Sequence, residues 1–277
     1  MSVNIRPIQT APLILDAPPA SFLVNIDTAT PELERILRSD PYVRERFEPQ
    51  PADGLYITLS DLRLALEPFG TNENITVLDY GCGGSPYRFL FPNANYLRAD
   101  VSGNGLDYHI AEDGSSDAPS GCCDLILSTQ VIEHVPDVPL YLSECLRLLR
   151  PGGRLICSSH GMFEEHPCPD DWNRWTCQGF RRDLERAGFV VSDVYKLTTG
   201  PRAMFFLLDL NFRRFSGPKT TSFGWVCGIF KRLYSRNRVW LHHKADQFFS
   251  NCRVVKESDT TQTTYISVLA DCTRPAR

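Results

Sequence analysis

The chain has 277 residues, of which 42% are hydrophobic, 22% charged and 11% aromatic, with a formal net charge of −4. This excludes a collagen-like, low-complexity or mainly disordered chain, and it excludes a chain that is basic throughout. Ten cysteines in a chain this long, with no Cys-x-x-Cys spacing, read as reduced thiols and not as a disulfide scaffold or a zinc site.

Residues 1–74 are Pro-rich and then helical, a cover over the sheet expected after them. Met1–Asp16 holds one Arg and two prolines without a sustained apolar core, so no signal peptide is expected there. The uncharged stretches Ala17–Ile26 and Thr220–Phe230 fall short of the ~18 apolar residues that span a bilayer. A cytoplasmic protein is expected, with the membrane periphery as the alternative. Thr30–Arg38 starts with a capping residue followed by an early Pro and acids, and predicts a helix. Leu59–Phe69 predicts a second.

From Ile75 to Val191 short apolar runs alternate with helical segments. Ile75–Tyr80, Tyr96–Asp100, Asp124–Ser128 and Gly153–Ser159 read as strands. Leu140–Leu149 places Leu142, Cys145, Leu146 and Leu149 on one helical face, and Pro151-Gly152-Gly153 stops it. Thr176 caps a helix running to about Ala187, with Gly188 beyond its end and a strand at Phe189–Val191. The alternation predicts βαβ units and a parallel sheet, whose ligands sit beyond the carboxyl ends of the strands.

The polar residues at those ends therefore carry the chemistry. Val77-Leu-Asp79-Tyr80-Gly81-Cys82-Gly83-Gly84 is a strand running into a Gly-rich turn, which lets backbone approach an adenosine-type cofactor. A dinucleotide fingerprint needs a third glycine where Pro86 stands. Asp100, about 20 residues on, can accept from a ribose diol, and Asp113 from an adenine amino group.

These pieces, together with Asp124-Leu-Ile-Leu, Val131-Ile-Glu-His-Val135 and Leu149-Arg-Pro-Gly-Gly153, resemble a class I S-adenosylmethionine-dependent methyltransferase of the type 11 family over residues 75–195. The resemblance implies a Rossmann-like α/β fold with a seven-stranded sheet and a reversed last strand. It implies S-adenosyl-L-methionine as cofactor, with Gly81 and Gly83 facing methionine and ribose, Asp100 the ribose hydroxyls and Asp113 the adenine. Asp79 would orient the turn, and Gln130 joins the cofactor contacts. In some similar quinone O-methyltransferases a Glu-x-x-Glu-His run supports a metal; Gln130 replaces its first carboxylate here, so no metal is expected.

Ser159–Thr176 follows the fifth strand and packs His160, His166, four acids, Arg174, Trp172 and Trp175 into one loop. Its His-Pro-x-Pro-x-Asp-Trp-x-Arg-Trp-Thr form is similar to methyltransferases of bacterial glycan and cell-surface biosynthesis. His166 is the first candidate base and His160 the second. His134, Asp171, Trp172 and Arg174 are candidate acceptor contacts, although Asp171 and Arg174 also suit a local ion pair.

Residues 201–250 carry nine basic and two acidic side chains, a net +7 that leaves −11 for the remainder. This aromatic, basic segment, placed within residues 201–263, is either a solvated helical cap or a contact for an anionic partner such as a lipid-linked glycan or a membrane surface. Arg202, Arg213, Arg214, Lys231 and Arg232 would make that contact. No nucleic-acid recognition module accompanies them. Thr264–Ala270, within residues 264–277, is a last strand expected at the sheet's edge. The expected function is methyl transfer to a small polar acceptor, a sugar or glycan-precursor hydroxyl. The alternatives are O-methylation of a secondary metabolite or quinone-like ring, and a non-catalytic cofactor-binding partner subunit.

Overall fold

The computed structural model describes residues 31–214, 222–259 and 263–276; the Met1–Asp16 segment, the Ala17–Ile26 stretch and the Thr30 cap lie outside them. Helices α1 (Pro31–Ser39), α2 (Pro41–Phe47) and α3 (Tyr56–Leu66) precede strands β1 (Thr76–Tyr80), β2 (Asn95–Asp100), β3 (Tyr108–His109) and β4 (Cys123–Thr129). Helix α4 (Val138–Leu148), strand β5 (Leu149–His160), helix α5 (Cys177–Arg186) and strand β6 (Val190–Thr199) come next. The chain continues through α6 (Gly200–Arg214), α7 (Ser222–Phe248), β7 (Val254–Lys256) and β8 (Tyr265–Thr273).

The strands form one sheet of order β3-β2-β1-β4-β5-β8-β6-β7. β1 pairs in parallel with both β2 and β4, so the chain reverses its direction of growth at β1, and a crevice opens beyond these strands' carboxyl ends. β8 runs antiparallel between β5 and β6. It is therefore an interior strand and not the expected edge addition. Its run of buried residues from Ile266 to Cys272, apolar except for Ser267 and Asp271, is what an interior strand needs. The eighth strand, β7, takes the edge, and its three half-buried residues carried no strand signal.

Period-two alternation assigns side chains to the two faces. Leu78, Tyr80 and Ile126 join the core beneath α4 and α5, with Tyr141, Cys145, Phe180 and Leu184. Val77, Leu125 and Leu127 join the opposite core, with Leu62 and Leu66 of α3 and Phe47 of α2. Asp137 caps α4 by accepting from Leu140 N at 3.0 Å, and Thr176 caps α5 by accepting from Gly179 N at 3.1 Å. Helix α3 ends at Leu66, earlier than expected, because Pro68 has no N–H to continue it and the chain tightens into a 3-10 turn over Glu67–Phe69.

A third core joins Ile57 of α3 to Ala203, Phe206 and Leu210 of α6 and Ala245 of α7. Beside it, Arg202 is wholly buried and donates to Asp61 from Nε (2.7 Å) and Nη2 (2.9 Å) and to Asp246 from Nη1 (2.9 Å). Arg213 pairs with Asp209, and Arg214 with Glu164. These three arginines were candidates for an anionic-partner contact, the alternative to a solvated cap. Each instead neutralises a carboxylate of this chain, which lowers the positive field the composition suggested.

Candidate active site

The ends of β1, β2, β4 and β5 converge on a cavity of about 360 Å³, a size that suits a small ligand. Gly81 and Gly83 line it and both have left-handed backbone, with φ of 85° and 48°. A Cβ on Gly81 would lie 2.5 Å from Val131 Cγ2, and one on Gly83 would lie 2.6 Å from Tyr42 Oη. The left-handed backbone strains any side chain at both positions, and at Gly81 a Cβ would also run into Val131.

The turn is held from below. Ala99 O accepts from Gly81 N (2.9 Å) and Cys82 N (3.0 Å), and Asp100 Oδ2 accepts from Gly83 N at 2.7 Å. Arg98 donates to Gly83 O (3.1 Å) and Ser85 Oγ (3.0 Å), a brace that sequence reading missed because an arginine inside a strand carries no distinguishing signal. Asp79 lies beneath the turn, outside the cavity lining, and accepts from Tyr96 Oη at 2.8 Å. Burial pushes its carboxyl up to about 7.

Asp100 and Gln130 line the cavity as expected. Gln130 sits at φ 57°, rare for a non-glycine residue and found where a site demands it. Its amide donates to Ser158 Oγ at 3.3 Å. Asp113 departs from expectation: it is exposed, and its carboxylate closes a local turn by accepting from Ser115 N (2.9 Å) and Ser115 Oγ (2.6 Å). Ile110, Ala111 and Glu112 line the cavity instead. The N-terminal helices supply Tyr42, Arg46, Thr58 and Leu59, contributions that sequence reading assigned only to cover.

Three histidines gather on the opposite wall. The His166 ring lies 5.0 Å from that of His134 and 4.8 Å from that of His160, centre to centre. His160 is stacked on Phe163 at 4.1 Å, and its Nδ1 lies 3.3 Å from Ser267 Oγ. Its Nε2 lies 3.3 Å from Glu133 Oε1, an oxygen with no hydrogen-bond partner among the described residues. Burial first, then the charges of His166 and Arg174, hold the His160 imidazole well below its usual range. Burial pushes the Glu133 carboxyl up to about 7.

His166 lies in the loop after β5. Asp171 Oδ2 accepts from His166 N at 2.9 Å, and His166 Nδ1 lies 3.3 Å from the same oxygen. Arg174 grips Asp171 with two donors at 2.5 Å, and this forked pair first of all holds the Asp171 carboxyl well below the usual carboxylate range. Burial lowers the His166 imidazole, so it is neutral at pH 7 and can accept a proton. His134 lines the cavity and donates from Nδ1 to Asp170 O at 2.5 Å. Asp171 and Arg174 thus tether the loop and lie outside the lining, and Trp172 is exposed, with its backbone N donating to Glu133 O.

Among the described residues two overlapping sets have ligand atoms close enough for a metal ion: Glu133 with His160 and His166, and His134 with His166 and Asp171. The glycine cradle, the Asp100 carboxylate at the rim and the apolar wall suit an adenosine-type sulfonium cofactor.

Residues 55–192, just under half of the chain, match the sequence profile of a family described as "Methyltransferase domain". Over 104 residues the chain is 35% identical to a ubiquinone biosynthesis O-methyltransferase of Cereibacter sphaeroides, covering 31% of this chain and 42% of that protein. Over 130 residues it is 32% identical to the methyltransferase AacuQ of Aspergillus aculeatus, covering 40% of this chain and 41% of that one. The chain thus spans well under two thirds of the curated relatives it matches. A solved chain from the complex of the Haloferax volcanii Trm112 methyltransferase activator with a methyltransferase superposes with a TM-score of 0.50 at 17% identity, over 89% of this chain and 97% of that one. It shares the fold.

Proposed function

From a chain that belongs to the class I S-adenosylmethionine-dependent methyltransferases, we propose an O-methyltransferase that acts on a hydroxyl of a small polar acceptor, a sugar or glycan precursor. The observation that carries this reading is the histidine wall facing the glycine turn across one cavity.

S-adenosylmethionine supplies an electrophilic sulfonium methyl. Gly81, Gly83 and Asp100 would bind its amino-acid and ribose parts, with Gln130 beside them in the lining. Tyr42, Leu59 and Phe163 exclude water from the transfer. His166 removes the acceptor proton: it faces the cavity, it is neutral, and Asp171 orients its ring. His160, with both ring nitrogens beside partners, positions Phe163 and the wall.

A second reading, an aromatic hydroxyl as acceptor, is favoured by the ubiquinone O-methyltransferase relatives and by the aromatic side chains of Tyr42 and Phe163 in the lining. Mass-spectrometric detection of methyl transfer to sugar nucleotides, lipid-linked sugars and catechols separates the two. His166→Gln should lower kcat on the true acceptor by about a hundredfold or more while calorimetry shows unchanged S-adenosylhomocysteine binding. Full activity in that variant would remove His166 from the mechanism.

A further inference from the structure

The longest helix, α7, has two unlike sides. Tyr234, Arg238, His242 and Ala245 recur every three or four residues and face the body of the protein, where Tyr234 and Arg238 bond Asp209 and Ala245 joins the third core. At 3.6 residues per turn, Trp225, Ile229, Phe230, Leu233, Trp240 and Phe248 fall within about 140° of arc on the other side. All six are exposed; Trp225 is 69% accessible, Phe230 62%, Trp240 58% and Phe248 73%. Soluble surfaces rarely leave so many large apolar side chains together in water.

The charges on this side have one sign. From Ser222 to Ala245 there is no Asp or Glu. Arg236 lies within the apolar arc and Arg232 at its edge; both are exposed, and neither has an acidic partner among the described residues. Met204, Leu208 and Phe212 extend the surface along α6, where Phe212 stacks on Tyr234 at 5.7 Å. No helix among the described residues is long and apolar enough to cross a membrane. A helix about 40 Å long with tryptophans and phenylalanines on one side and arginines beside them has the composition of a segment that lies in a membrane interface.

We infer that the outward side of α7 docks this protein on an anionic lipid bilayer, its aromatic side chains entering the headgroup boundary and Arg232 and Arg236 pairing with lipid phosphates. Charge complementarity selects this occupant over a second copy of the chain, whose α7 would bring the same arginines face to face. The inference concerns binding alone and stands whichever acceptor the cavity takes.

Co-sedimentation of the full chain with phosphatidylcholine vesicles, with and without phosphatidylglycerol, tests it. Binding should require phosphatidylglycerol. Trp225→Ser with Phe230→Ser should weaken it by about tenfold or more, and Arg232→Glu with Arg236→Glu by at least about thirtyfold. Because these side chains are exposed, unchanged circular dichroism and S-adenosylhomocysteine binding should accompany the losses. Wild-type protein that stays in the supernatant, that binds both vesicles equally, or that binds as well after either double substitution overturns the inference. So does a dimer in sedimentation velocity that Trp225→Ser dissociates.

Discussion

At the scale of single residues, the site is governed by which groups hold a proton near neutrality. Burial raises the Glu133 carboxyl to about 7 from 4.5, so between those values the native state binds more protons than the unfolded chain. Stability contributed by that proton is present at low pH and is lost as pH rises through the window. Glu133→Gln keeps the shape without the charge, so its stability relative to wild type should rise between pH 5 and pH 8, by up to about 3 kcal/mol. Urea unfolding at the two pH values measures this, and a difference that does not change with pH would show that Glu133 is charged throughout. His166 has the opposite sense: its lowered imidazole places the acidic limb of the kcat/KM profile below 6.5, and a limb above that value would contradict the assignment of the base. Gly81, Gly83, Asp100 and His160 were legible because strand ends in an α/β sheet are fixed by hydrophobic periodicity, and the next polar residue must face the crevice; His166 was read from the polar composition of the loop after β5. Asp113 was not, because a two-residue strand followed by a turn leaves the direction of a carboxylate to local hydrogen bonds with Ser115.

At the scale of elements, the C-terminal helices are joined to the sheet by charge as much as by packing. Asp61 of α3 accepts from Arg202 of α6, from Arg253 before β7 at 2.6 Å and from Thr198 of β6 at 2.8 Å. Removing one member of such a network leaves an uncompensated buried charge. Arg202→Met should therefore cost about 3–5 kcal/mol, read as a drop in the denaturation midpoint, and Arg202→Lys should recover only part because it lacks the planar fork. A loss under about 1 kcal/mol would mean that Arg253 alone compensates Asp61. None of this was visible in the sequence, where Arg202 counted only as one of nine basic residues: ion pairs between positions 61 and 202 have no local signature. Helices α4 and α5 were legible for the converse reason. The apolar spacing of Leu142, Cys145 and Leu146 and the Thr176 cap are local signals, whereas the Asp137 cap that starts α4 two residues earlier was not read. The reversed direction of β8 was implied by the family resemblance, but its interior place between β5 and β6 was not read, because position at the end of the chain suggested an edge.

At the scale of the whole molecule, the cofactor cavity is assembled from segments far apart in sequence, and its closure is a property of the assembly. Tyr42 on α2 reaches within 2.6 Å of where a Cβ on Gly83 would stand, and Arg46, one turn on, lines the same cavity. The post-β5 loop closes the other side with Phe163, His166, Cys168 and Pro169. Helix α2 is short, seven residues with only Val43 and Phe47 buried, and beyond these it is tied down by the Arg44–Asp53 ion pair. An isolated helix of that length is marginal. Ligand contacts along Tyr42 and Arg46 should therefore stabilise it by a large fraction of its own opening free energy, through the linkage between binding and local stability. Hydrogen–deuterium exchange with saturating S-adenosylhomocysteine should slow amide exchange in residues 41–47 as well as in the turn after β1, and should leave α7 unchanged, because no residue of α7 lines the cavity. Protection confined to the β1 turn would mean that α2 is a passive cover. Protection that also reaches α7 would mean that the cavity and the helical C-terminal layer are coupled through Phe163 and Phe206, whose rings stack at 5.9 Å.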